Sequence, residues 1–120
     1  TSNFNYVTAI LTMQFIHPSI RQKAYDKIYK SLNISGGFFI FEKTRAEYAK
    51  NEEINIGVYN DFKRDNNFSE KEIIQKALSL RGKMECNSPN ENIKLLKNSG
   101  FKKIFKVFKW FGFEGVLCIK

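Results

Sequence analysis

An α/β fold is what this chain predicts, and three features predict it. Two short apolar runs, Tyr6-Val7-Thr8-Ala9-Ile10-Leu11 and Phe38-Phe39-Ile40-Phe41, have the length and composition of strands buried on both faces. A stretch with helical periodicity separates them. The tail from Phe101 to Lys120 is aromatic and β-prone again, behind three helices that each open on a capping signal.

The first strand, about Tyr6 to Leu11, is left at Thr12-Met13-Gln14-Phe15-Ile16 and punctuated by His17-Pro18-Ser19. Pro18 suits the first position of a helix, where its missing N–H costs nothing. That helix runs to about Leu32, with Tyr25, Ile28, Tyr29 and Leu32 spaced along one apolar face. Asn33, Ser35, Gly36 and Gly37 then form a turn that stops it. Phe38 to Phe41 follow as the second strand, so the segment reads as a right-handed βαβ unit with parallel strands. Glu42-Lys43 put charge at that strand's C-terminal end, where open α/β sheets bind their ligands.

Thr44-Arg45-Ala46-Glu47, Ser69-Glu70-Lys71-Glu72 and Ser88-Pro89-Asn90-Glu91 each have the form of a capping box. The first opens a helix to about Asp65, striped by Ile54, Val58, Tyr59 and Phe62 and weakened by Gly57. The second carries Ile73, Ile74, Ala77 and Leu78 toward Met84. The third carries Ile93, Leu95 and Leu96 and ends at Asn98-Ser99-Gly100. Two strands close the chain, about Lys102 to Trp110 and Gly112 to Ile119, and the short break between them implies an antiparallel pair. The expected order is β-α-β-α-α-α-β-β in a single domain, 1–120, with no repeat and no linker.

With 120 residues, 42% hydrophobic and twelve of them Phe, the chain can bury a core. At ~25 cal/mol per Å² such burial offsets the ordering entropy of one domain. Cys86 and Cys118 are far apart and have no His or acidic cluster beside them. Neither a disulfide framework, a metal nor thiol catalysis is indicated, and a reducing cytoplasmic setting fits. No run approaches the ~20 apolar residues of a membrane span. A formal net charge of +8, from 20 Lys and Arg against 12 Asp and Glu, favours an anionic partner. The plainer account of that charge is a solvated, lysine-rich surface.

A strand, a helix, an L-N-x-x-G turn, a second strand ending in Glu, further helices and a Gly-Phe antiparallel pair together resemble a known half-fold. It is the C-terminal half of a class I S-adenosylmethionine (SAM) dependent methyltransferase. More narrowly, Thr12–Ser19, Arg21-Gln22, Asp26–Tyr29, Leu32-Asn33, Glu42-Lys43, Asp61–Arg64 and Phe68–Glu70 resemble the carboxy-S-adenosyl-L-methionine synthases. That family was long described as tRNA wobble-uridine (5-oxyacetic acid) methyltransferases, and the likeness spans essentially the whole chain.

The resemblance implies a Rossmann-like sheet of two parallel strands and an antiparallel C-terminal pair, with inserted helices, binding SAM or carboxy-SAM at its C-terminal rim. It implies prephenate as carboxyl donor, a homodimer, and an indirect link to tRNA through an enzyme that uses the product. The helices from about Ala46 to Glu85 would serve the dimer and cover the site. Cofactor contacts carry over to Ile10, Leu11, Thr12 and Glu42, with Ile10 standing where the family has Asn. The family's carboxylate-reading Arg falls at Ala77, which offers no donor; Arg81, one helical turn on, can reach the same place.

No G-x-G-x-x-G or D-x-G-x-G occurs in the chain. It therefore reads as a fragment without the glycine-rich SAM-binding half, inactive alone and prone to self-association through an unpaired first strand. Two other functions stay open: an ordinary SAM-dependent methyltransferase acting on RNA or a small molecule, and a non-catalytic basic RNA-binding module. For the latter, Lys102, Lys103, Lys106 and Lys109 interleave with Phe105, Phe108, Trp110 and Phe111. Single residues carry plainer readings too. His17 reads as a cap or turn residue. Glu42 either meets a ligand or accepts hydrogen bonds from a neighbouring loop. Asp61–Arg64 either faces the site or partner, or is an ion-paired helix end.

Overall fold

Residues 4–120 are described by a computed structural model. The elements are β1 (Phe4–Ile10), a 3-10 turn (Met13–Phe15), α1 (Pro18–Ser31), β2 (Leu32–Lys43), α2 (Ala49–Asp65), α3 (Glu70–Leu80), α4 (Pro89–Ser99), β3 (Lys103–Trp110) and β4 (Phe113–Ile119). The predicted order of strands and helices holds. One four-stranded sheet runs β1-β2-β4-β3. β1 lies parallel to β2, and β4 fits antiparallel between β2 and β3.

α1 starts where the sequence puts it. Pro18 occupies its first turn, and the His17 ring accepts from the Ser19 N–H at 3.2 Å, so His17 is the N-cap. Its C-terminus is held by the last residue of the chain. Lys120 Nζ donates to Tyr29 O at 2.9 Å and Leu32 O at 2.7 Å, placing a cation on the carbonyl end of the helix. α4 carries a complete capping box between Ser88 and Glu91, and Ser69 caps α3 by accepting from Glu72 N.

α1 and α4 cover one face of the sheet. Phe38, Ile40, Val116 and Cys118 project from that face into a core completed by Tyr25, Leu32, Leu96 and Phe101. The Tyr25, Phe38 and Phe101 rings meet with centroids about 6 Å apart, at 6.2 and 6.0 Å. α2 and α3 pack instead at the C-terminal end of β2, where Phe62 meets Trp110 at 4.8 Å and Tyr59 meets Phe113 at 5.6 Å.

Three expectations need correction. The sequence predicts strands buried on both faces, yet β1 contains one buried residue, Ala9, and β2 alternates between buried and half-buried from Phe38 onward. β1 is an edge strand of this sheet, and the face away from α1 carries no helix over β1. The stop at Asn33–Gly37 is not a turn outside the sheet. It lies within β2 as an irregularity, for Phe4 pairs with Leu32 and Tyr6 with Gly37. Ser35 takes φ 63 there, and a Cβ on Gly36 would stand 2.8 Å from Asn33 O. Thr44 is not a helix cap either. Its N–H and hydroxyl both donate to Gly112 O, and α2 begins only at Ala49 behind Tyr48, with no side-chain cap.

Candidate active site

The parallel pair β1 and β2 ends in two adjacent tips that are tied to each other. Leu11 leaves β1 with φ 52, and its N–H donates to Phe41 O at 2.7 Å. Thr12 turns its hydroxyl back to Ile10 O at 2.9 Å. The chain then passes over the end of β2, where Glu42 accepts from Met13 N at 3.0 Å and Gln14 N at 3.1 Å. Gln14 answers with its side-chain oxygen, which accepts from Lys43 N at 2.8 Å. Glu42 is 4% exposed, so the carboxylate serves the loop rather than the surface. Burial pushes its pKa up to about 7 despite the two N–H donors and Arg21 nearby.

Beside the β2 tip lies a pocket of about 620 Å³. Ile56, Tyr59, Ile73 and Phe113 give it apolar walls, while Lys43, Lys63, Lys76 and Arg81 bring cations from β2, α2, α3 and the residue after α3. Glu52 is the one acid on the wall, and it accepts the Ala46 N–H at 2.6 Å. Among the described residues none of the four cations has an ion-pair partner. Lys63 Nζ sits 4.4 Å from the centre of the Tyr59 ring and Lys43 Nζ 5.3 Å from it. Burial, then the like charges of Lys43 and Lys76, hold the Lys63 pKa below its usual value. An excess of cations against apolar walls fits an organic anion better than a neutral or cationic group.

The six expected cofactor residues divide between these two places. Ile10, Leu11 and Thr12 stand exposed at the β1 tip, outside the pocket. Ala77 and Arg81 line the pocket, and Glu42 is buried between the two. The Asp61–Arg64 segment is an ion-paired helix end that also sends one side chain to the pocket. Arg64 pairs with Asp61 and Glu70, as an ion-paired helix end does, while Lys63 faces the pocket. Sequence reasoning missed Tyr59, Lys63 and Lys76 as one group. The signal was the i, i+4 spacing of Tyr59 and Lys63 on α2, which stacks them on one helix face.

The basic-aromatic tail divides its lysines, Lys103 sharing the face of Phe105 and Phe108 and the next two standing on the other. Lys106 and Lys109 lie on the helix-covered face, 3.3 and 3.4 Å from buried Glu114, within ion-pair reach though without an aligned hydrogen bond. Phe105 and Phe108 pair across from Leu117 and Gly115, on the opposite face.

No protein-family model matches the chain. It is 37% identical over 119 residues, 99% of its length, to a carboxy-S-adenosyl-L-methionine synthase of Staphylococcus epidermidis, covering 52% of that protein. A synthase of the same name from Campylobacter lari is 44% identical over 93% of this chain, with 48% of that protein covered. The chain thus spans about half the length of the curated relatives it matches, and the expected resemblance stands. Solved structures give the fold. The SAM-dependent methyltransferase SibL superposes with TM-score 0.63 at 11% identity, over 99% of this chain and 31% of that one. Human N-acetylserotonin methyltransferase in complex with SAM superposes with TM-score 0.62 at 14% identity, over 97% and 29%. The α/β sheet has the same fold as the matching part of these two structures.

Proposed function

We propose that this chain is the C-terminal half of a carboxy-S-adenosyl-L-methionine synthase, a SAM-dependent transferase that takes its carboxyl group from prephenate. Near-complete alignment with half of proteins of that name supports the family reading. The observation that carries the substrate reading is the pocket beside the β2 tip, where four cations with no ion-pair partner among the described residues face apolar walls. SAM, when bound, would supply a sulfonium whose positive charge acidifies the attached methyl group, the carbon that gives up a proton as it takes the carboxyl group; a pocket of cations beside it suits the carboxylates of the co-substrate and of the carboxylated product. The exposed Leu11-Thr12 tip lines the cofactor side, and Lys43, Lys63, Lys76 and Arg81 orient the anion. With Ala77 giving no donor, Arg81 and the lysines supply the counter-charge from neighbouring positions on the same wall. The enzyme works as a homodimer in the cytoplasm, and its link to tRNA runs through the enzyme that consumes the product.

Ala77 favours a second reading, an ordinary methyltransferase that handles plain SAM, because a methyl side chain cannot read the extra carboxylate. Mass spectrometry of the nucleoside retained by a protein spanning the relatives' full length separates the two. Carboxylated cofactor is the expected finding; plain SAM alone would remove the synthase reading and leave the methyltransferase.

A further inference from the structure

The contacts between the two strand tips are reciprocal, and they reach further than the tips. Glu42 takes the N–H groups of Met13 and Gln14, Gln14 takes the N–H of Lys43, and Gln14 O takes the N–H of Glu85, behind α3. Gln14 Nε2 also lies 3.3 Å from Met84 Sδ. Arg21, buried on α1, closes the far side by donating to both Ile16 O and Glu85 O at 2.8 Å. The loop from Leu11 to Ile16 is thus fastened at its middle by Glu42 and at its end by Arg21, with left-handed backbone at Leu11 to be held. The same residues hold the segment after α3 that borders the cation-lined pocket.

The structure assigns Glu42 and Gln14 as positioning residues, forming a clasp that ties the loop behind the Leu11-Thr12 tip to the end of β2 and to the segment after α3, with Glu42 the member whose grip depends on pH. The groups around Glu42 are Arg21 and Tyr25 from α1, Glu114 across the ladder on β4 with Lys106 and Lys109 behind it from β3, its own neighbour Lys43, and Cys86 from the segment after α3. Arg21 is a permanent cation already committed to two carbonyls. Glu114 has its own two ammonium groups. Glu42 is therefore the member of this group whose charge state changes the loop's hydrogen bonds directly. Ionised, it offers the two N–H groups charge-assisted bonds; protonated, it offers weaker neutral ones. The direction follows for a local opening that frees the two N–H groups while Glu42 stays buried, since those two bonds favour the ionised form: the tip is held more firmly as pH rises through the titration of Glu42.

The clasp rests on the function proposed above only where the tip is called a cofactor face. The test reads the clasp without any cofactor. Amide hydrogen exchange and amide chemical shifts of Met13 and Gln14 are followed by NMR from about pH 5.5 to about pH 8.5, in the 120-residue chain and in Glu42→Gln. After correction for intrinsic exchange rates, protection of both amides is expected to rise about tenfold with pH in the parent chain. It stays flat in Glu42→Gln, which keeps the shape, loses the charge and keeps one of the two acceptor oxygens. Gln14→Ala is expected to release the Lys43 amide. In the parent chain alone, both amide shifts move together with the Glu42 carboxyl signal. Equal pH trends in parent and variant, or amides that ignore the Glu42 titration, overturn the assignment.

Discussion

At the scale of single residues, Glu42 decides most. Its position at the end of the second strand was legible in the sequence, as was the choice between ligand and loop as its partner. Its loop partners lie on the far side of α1, so only the fold showed which it takes. Because its folded pKa is raised from 4.5 to about 7, the folded state favours the protonated form. Stability from this group is full below about pH 4.5 and is lost as pH rises toward 7, by roughly 3 kcal/mol at most. Urea unfolding across that range is expected to show this fall in the parent chain and not in Glu42→Gln. Global stability and the grip on the tip therefore run in opposite directions with pH. The lysines teach a related lesson. Lys43, Lys63 and Lys76 come from three separate elements, so no spacing within one stretch could have gathered them.

Among elements, local signals were readable and remote ones were not. Ser69 and Ser88 cap the helices they announce, because a capping box closes within four residues. Thr44 carries the same pattern and fails, since Gly112, far along the chain, takes its hydroxyl first. Substitution tests the difference. Ser88→Ala removes a cap and is expected to cost about 1 kcal/mol in chemical unfolding. Thr44→Ala is expected to leave the helical circular dichroism of α2 unchanged and to loosen instead the contact between Thr44 and Gly112. Gly36→Ala sets a methyl against the backbone carbonyl of Asn33 at 2.8 Å, inside the irregular part of β2. It is expected to destabilise by roughly 1–3 kcal/mol, read as a lower urea midpoint. An unchanged midpoint would mean that the irregularity is free to relax.

Over the whole molecule, the helices leave one face of the sheet largely open. Tyr6, Ile10, Phe105 and Phe108 are 56%, 57%, 52% and 47% exposed there. The apolar runs announced strands but not how many of their faces would be covered, because coverage depends on neighbours that a strand's own residues do not encode. Such a face, with β1 at the sheet edge, invites another surface. Sedimentation of the 120-residue chain is expected to show mass above the monomer at high concentration, and Phe105→Ser with Phe108→Ser to reduce it. A strictly monomeric profile would contradict that. Charge, fold and relatives converge on the rim where the parallel strands end beside a cationic pocket. The decisive measurement is made on a protein spanning the relatives' full length, given SAM and prephenate labelled in its carboxyl carbons. Label appearing in a carboxylated sulfonium nucleoside, and lost in the Lys63→Met, Lys76→Met double variant, is the predicted result. A nucleoside product that carries no label would contradict the account.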